Sequence, residues 1–192
     1  MSEALRRRAH RLLEVRSSGD SAVREVDWGS VCALSTGDGE STLVAKFSSS
    51  YPVQMYALNL QAELGGVTNL RPDDTEANPF WYTFKVQCTS CRETHQNWVG
   101  VSRFREASAS IKAAPSAYEQ SEPAKPKNIL EFDCRGLEFV EFRPEGQWLA
   151  EGLESGTKFT EIDLNEGEWF DYDEKAGDEV SIKDIKWEIK RS

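Results

Sequence analysis

The 192-residue sequence lacks most of the signatures by which a protein advertises its chemistry. No apolar run approaches the roughly 18 residues a spanning helix needs, so no segment reads as a membrane span. No Asn-x-Ser/Thr acceptor occurs, and four cysteines, Cys32, Cys88, Cys91 and Cys134, are too few and too scattered for a disulfide-dense secreted scaffold. A reducing compartment, the cytosol or the nucleus, is therefore expected. There is no glycine-rich phosphate loop and no Ser/His/Asp pattern with supporting context. Acids are so abundant that some pair must lie close, which gives hydrolysis by paired carboxylates no positive support. The expectation is a protein that is not an enzyme. Cationic excess is missing too. Residues 1–54 hold seven Lys or Arg and seven Asp or Glu, so the whole formal charge of −10 sits on residues 55–192. An acidic body repels phosphate backbones and anionic headgroups, which argues against nucleic acid or membrane and leaves an unidentified protein as the expected partner.

What is present is the composition of a globular chain, with 39% hydrophobic and 10% aromatic residues. Residues 1–54 read as an N-terminal extension, weakly structured or marginal. Within it Leu5, Ala9, Leu12 and Leu13 share one stripe among arginines, which predicts a short amphipathic helix ending at Ser17-Ser18-Gly19. Arg-rich amphipathic segments also serve as mitochondrial presequences, but Glu3, Glu14 and Asp20 speak against import. Residues 21–54 read as a loose leader or one marginal hairpin, and Cys32 as an inert thiol.

At Met55 the texture becomes β. Tyr56, Leu58, Leu60, Ala62 and Leu64 alternate with Asn59, Gln61 and Glu63, a period-2 strand closed by Gly65-Gly66. Phe80 to Gln87 is a second strand, and Val180 to Lys190 a last one with a change of phase near Asp184 that predicts a bulge. The segment from Ser116 to Lys127, with Pro123 and Pro126, reads as a loop joining two halves, residues 55–114 and 128–192. A shift of 72 residues sets Leu58 on Leu130, Leu60 on Phe132 and Arg71-Pro72 on Arg143-Pro144. The aromatic clusters Phe80-Trp81-Tyr82 and Trp169-Phe170 follow in turn. The expectation is an all-β, sandwich-like body of two related β units packed face to face. Glu161 to Glu179 holds nine acids against Lys175 alone and reads as a solvated face.

One stretch carries pointed chemistry. In Phe80 to Trp98 an aromatic strand runs into Cys88-Thr-Ser-Cys91 and then His95. Two thiols separated by two residues at the end of a strand can grip one metal ion, with sulfurs about 2.3 Å from zinc. A closed structural site needs four ligands, and no second CxxC exists in the chain. His95 can offer an imidazole as a weaker candidate, whereas Cys134 lies in a block that reads as core. The competing reading is a dithiol redox pair, which normally sits at a helix N-terminus; Arg92 to Trp98 reads as a turn toward a strand.

These residues resemble the eukaryotic CxxC-motif-containing zinc-binding protein family. The resemblance rests on MYALNLQAELGGVTNLRP, FKVQCTSCRETH, FDCRGLEFVEFRP and WLAEGLESGTKFTEIDLNEGEWFDYDEKAGDEVSI, and spans Met55 to the C-terminus. It implies a β-rich fold with two related sheets and zinc held by two CxxC pairs. Here it would place Cys88 and Cys91 as metal ligands. The family's other CxxC lies between the first pair and the FDCRGLE block; this chain passes from Val101-Ser-Arg-Phe-Arg-Glu to Ala107-Ser-Ala-Ser-Ile-Lys without it. The expected function is thus a non-enzymatic zinc-binding β protein working through partners, with an incomplete metal site.

Overall fold

The computed structural model describes residues 13–15, 24–26, 53–104 and 109–192, the first two segments as backbone alone. The described residues contain strands and no helix. The body opens with β3 (Gln54–Gly65) and β4 (Val67–Pro72), then β5 (Tyr82–Cys88), β6 (Val99–Val101) and β7 (Ala109–Ile111). The second half supplies β8 (Lys127–Cys134), β9 (Leu137–Arg143), β10 (Trp148–Gly152), β11 (Lys158–Ile162), β12 (Trp169–Asp173) and β13 (Asp178–Arg191). Two short strands, β1 (Leu13–Val15) and β2 (Arg24–Val26), come from the extension. The all-β expectation holds.

The alternation read from the sequence is the alternation observed. Tyr56, Leu58, Leu60, Ala62 and Leu64 are buried and Glu63 is exposed, because successive residues of a strand face opposite sides of the sheet. The phase change near Asp184 is a register shift between Lys183 and Lys186, with Asp184 at φ 50°. The core is aromatic: Phe132 lies 4.8 Å from Phe139, 5.1 Å from Phe84 and 5.7 Å from Tyr56, ring centre to ring centre.

Three sheets run β2-β1-β6-β5-β9, β11-β10-β4 and β12-β13-β3-β8-β7. In the last of these β3 and β8 are antiparallel neighbours, with Leu58 opposite Leu130, the pair that the 72-residue shift brings into correspondence. A pseudo-twofold axis therefore passes between these two strands. About it, β4 crosses to pair with β10 of the second half, and β9 crosses to pair with β5 of the first. The related units are interleaved, each completing the other's sheet, where the sequence suggested two bodies set face to face. The long hairpins β3–β4 and β8–β9 decide this, since each buries one arm in the shared sheet and lends the other arm to the opposite half.

Two further expectations change. Leu13–Val15, which the apolar stripe places in a helix, is a strand, set against β6 with Glu14 opposite Gly100. Leu-Glu-Val alternates over its three residues, and a sheet edge supplies hydrogen bonds that an isolated short helix must make alone. The remainder of that predicted helix, and Cys32, lie outside the described residues. The 116–127 loop is also more than a connector. Tyr118 is buried, exchanges backbone hydrogen bonds with Leu70, donates its hydroxyl to the Lys125 carbonyl at 2.9 Å and accepts from the Ala62 N–H at 3.2 Å.

Candidate metal-binding turn

β5 ends in the thiol pair. Cys88 is buried and Cys91 is exposed. The chain reverses between them through two backbone bonds: Arg92 N–H donates to the Cys88 carbonyl at 3.0 Å, and Cys88 N–H donates to the Glu93 carbonyl at 3.0 Å. Arg92 takes φ 63°, the left-handed conformation that closes the loop. Thr89 ties the turn to the hairpin tip of β8–β9, its N–H and hydroxyl both donating to the Gly136 carbonyl. After Glu93 the chain runs back beside β5, with Thr94 bridged to Gln87 and His95 N–H donating to Val86. The His95 ring lies 3.1 Å from the Asn97 carbonyl through Nδ1.

Among the described residues, no three His, Cys, Asp or Glu side chains gather into a group able to hold a metal. Cys88 and Cys91 share one turn, but His95 is not brought into a cluster with them. Cys134 is in the core on β8, opposite Gln54 and Ala109. Burial pushes its thiol up to about 12. We expect iodoacetamide at neutral pH to leave Cys134 unmodified in the native protein and to alkylate it in urea, as peptide mass spectrometry would read. Rapid native modification would place that thiol at the surface. The donors described here do not make up the four that a closed zinc site requires. For the redox alternative the turn lacks the usual device as well: a strand, not a helix N-terminus, follows the second thiol.

The pseudo-twofold axis reveals a second copy of this turn that sequence comparison missed. In the second half, Gly156 N–H donates to the Gly152 carbonyl at 3.0 Å and Gly152 N–H to the Thr157 carbonyl at 2.7 Å. Gly156 has φ 65°, matching Arg92, and Leu153 N–H donates to the Gly66 carbonyl as Thr89 does to Gly136. Cys88 pairs with Leu137 as Gly152 pairs with Val67. Gly152-Leu-Glu-Ser155-Gly156 is thus the counterpart of Cys88-Thr-Ser-Cys91-Arg92, with glycine and serine at the thiol positions. The counterpart of Tyr82 is Trp148, which opens β10 as Tyr82 opens β5, and not Trp169-Phe170 as the sequence suggested.

Where the first turn carries thiols, the second is closed by a carboxylate. Asp173, buried at the end of β12, accepts hydrogen bonds from the hydroxyls of Ser155 and of Thr157, the latter at 3.0 Å. It also accepts from the N–H groups of Lys175 at 3.0 Å and Ala176 at 3.2 Å. The Ser155 hydroxyl leads the interactions that hold its carboxyl below the usual carboxylate range. Gly152 leaves room for this network, since a Cβ there would crowd Ser155 Oγ and come 2.5 Å from Asp173 Oδ2. The signal in the sequence was Gly-x-x-Ser-Gly following an alternating strand, as Cys-x-x-Cys follows β5, but at a shift of 64 residues where Leu58 and Leu130 match at 72.

Fold and turn together define a class: an all-β protein of two interleaved, related halves, one of which bears a two-thiol turn at the end of a central strand. The chain belongs to the eukaryotic CXXC motif containing zinc binding protein family, whose profile matches residues 57–108 and 104–190. A UPF0587 protein of Schizosaccharomyces pombe is 42% identical over 159 residues, covering 71% of this chain and 98% of the relative. The CXXC motif containing zinc binding protein of Mus musculus is 37% identical over 152 residues, covering 67% of this chain and 93% of the relative. Among solved structures, C1orf123 superimposes with a TM-score of 0.64 at 34% identity, covering 72% of this chain and 99% of that one.

The alignment also shows what this chain is missing. With 159 aligned positions drawing on 71% of 192 residues, or about 136, some 23 positions of the yeast relative face a gap. The two profile matches meet at residues 104–108, between β6 and β7. By the pseudo-symmetry this is the place where the second half runs from β11 through β12 to β13, presenting Asp173 to its turn. The first half lacks a described counterpart of β12.

Proposed function

We propose that this chain is a non-enzymatic β protein that acts by engaging partners, and that its Cys88–Cys91 turn binds zinc as one half of a clamp. The observation that carries the reading is the shape of the turn. Its backbone is closed by its own hydrogen bonds, and the same geometry recurs at Gly152–Thr157 with no thiol at all. A turn closed by its own backbone bonding needs no metal to keep its form, so zinc can enter and leave without unfolding the body. That differs from a small finger, in which roughly 10–16 kcal/mol of metal binding supplies the folding energy. Membership of a family named for zinc binding supports the choice of metal.

Metal content by mass spectrometry, measured beside a thiol titration under reducing and oxidising conditions, tests this. We expect zinc to be taken up in the reduced state, to be withdrawn by a moderate chelator without change in far-ultraviolet circular dichroism, and to be abolished by C88S/C91S. One equivalent of zinc resisting a strong chelator would show a complete donor set and overturn the half-clamp. A reversible dithiol–disulfide couple with no metal uptake would favour the redox reading instead.

A further inference from the structure

β12 is the outermost strand of its sheet, and among the described residues nothing pairs with its far side. Proteins usually blunt such edges with lysine, proline, a bulge or a covering segment. β12 reads Trp-Phe-Asp-Tyr-Asp and has neither lysine nor proline, while its five residues pair with β13 without a register break from Trp169–Ile182 to Asp173–Asp178. Its far end is pinned by Asp173 in the closed second turn. Among the described residues no strand covers this edge; the Tyr172 N–H is held by Asp171 Oδ1 at 2.8 Å, a local bond that an added strand would exchange for its own.

On that edge stand two aromatic side chains that the core does not use, with Lys183 Nζ 5.0 Å from the Phe170 ring centre. Phe170 and Tyr172, two residues apart and so on one face, are 57% and 53% exposed. Neither contributes to the core, and leaving such area in water costs free energy that the fold does not recover. The surroundings are acidic. Of the nine acids from Glu161 to Glu179 all but Asp173 are exposed, and among the described residues no ion pair engages them. Two copies meeting edge to edge would juxtapose like charges such as Asp171, which opposes self-pairing. A strand of opposite charge meets no such barrier, and the acidic field draws it in.

We propose that the outer edge of β12 binds an extended Lys/Arg-rich segment of a protein partner by strand addition. Backbone hydrogen bonds continue the sheet outward from β12. Phe170 and Tyr172 pack the aliphatic stems of alternate basic side chains, whose charged ends face Glu179, the exposed acid opposite Tyr172 on β13. This goes beyond the zinc reading and does not depend on it.

The test is fluorescence anisotropy with the full chain and a labelled peptide alternating lysine or arginine with valine, beside a matched glutamate–valine peptide. We expect saturable binding of the basic peptide alone, at least tenfold weaker in F170S/Y172S and weakened similarly by raising salt from 50 to about 300 mM. E179K should weaken the basic peptide and admit the acidic one; both variants alter exposed positions, and an unchanged melting curve confirms their fold. Absence of saturable binding, or binding indifferent to F170S/Y172S, overturns the proposal. So does binding that emerges only in R6E/R7E/R8E, which would make the chain's own arginines the occupant, or a dimer dissolved by F170S/Y172S, which would make it a second copy.

Discussion

Replacing Asp173 by alanine should lower the melting temperature by on the order of 5 °C, with asparagine recovering part of the loss. The carboxylate is the common acceptor for two hydroxyls and two backbone N–H groups, and it joins the turn after β10 to the hairpin between β12 and β13. Alanine leaves all four donors without their acceptor in a space that Gly152 has kept clear of any Cβ. Asparagine with its oxygen at the Oδ1 position keeps Thr157, Lys175 and Ala176 as donors but turns its amide nitrogen, itself a donor, toward the Ser155 hydroxyl that donates to Oδ2. The pH dependence carries the same signature. Because the folded state holds the Asp173 carboxyl below its ordinary value, its contribution is present above the unfolded pKa and is lost as pH falls through the folded one. Acid titration of stability should therefore be flatter in D173N than in the parent below about pH 4. Equal acid slopes would mean that the network does not depend on the charge of Asp173.

Trp148→Ala is expected to cost roughly 3–5 kcal/mol, a large share of the roughly 5–15 kcal/mol that stabilises a domain. The indole is fully buried, meets Phe80 edge-on at 5.6 Å and Trp187 at 5.5 Å, and donates Nε1–H to the Pro144 carbonyl at 3.2 Å. Truncation opens a cavity between the two halves and strands that carbonyl. Trp148→Phe should cost less, since it retains ring contacts and forfeits the hydrogen bond. Urea unfolding followed by far-ultraviolet circular dichroism reads both. The counterpart residue in the first half, Tyr82, does the same job with a different polar tip: its hydroxyl donates to Asp74 at 3.1 Å, and Arg103 holds that carboxylate at 3.0 Å. Losses of less than about 1 kcal/mol for Trp148→Ala would show that the second half tolerates collapse at this position.

Much of the fold was legible because strand alternation is local. Tyr56 to Leu64 declared its buried face by spacing alone, and the change of phase near Asp184 declared its bulge. The thiol pair was equally plain, since Cys-x-x-Cys needs no distant partner to be recognised. The second turn was hidden for the opposite reason. Its meaning lies in Asp173, eighteen positions after Ser155, and in a glycine whose role is to be absent from a space.

By itself the sequence determined the all-β class, the faces of the long strands, the two-thiol turn, and the lack of a second Cys-x-x-Cys to match it. Those follow from periodicity and residue type, which act over a few neighbours. Only the tertiary structure decided that the halves interleave, that Leu13–Val15 pairs with β6 as a strand, and that a buried carboxylate closes one turn while thiols mark the other. Those outcomes depend on which strand edges and which donors meet across long stretches of chain, and pairing between distant segments leaves no periodic trace in either one.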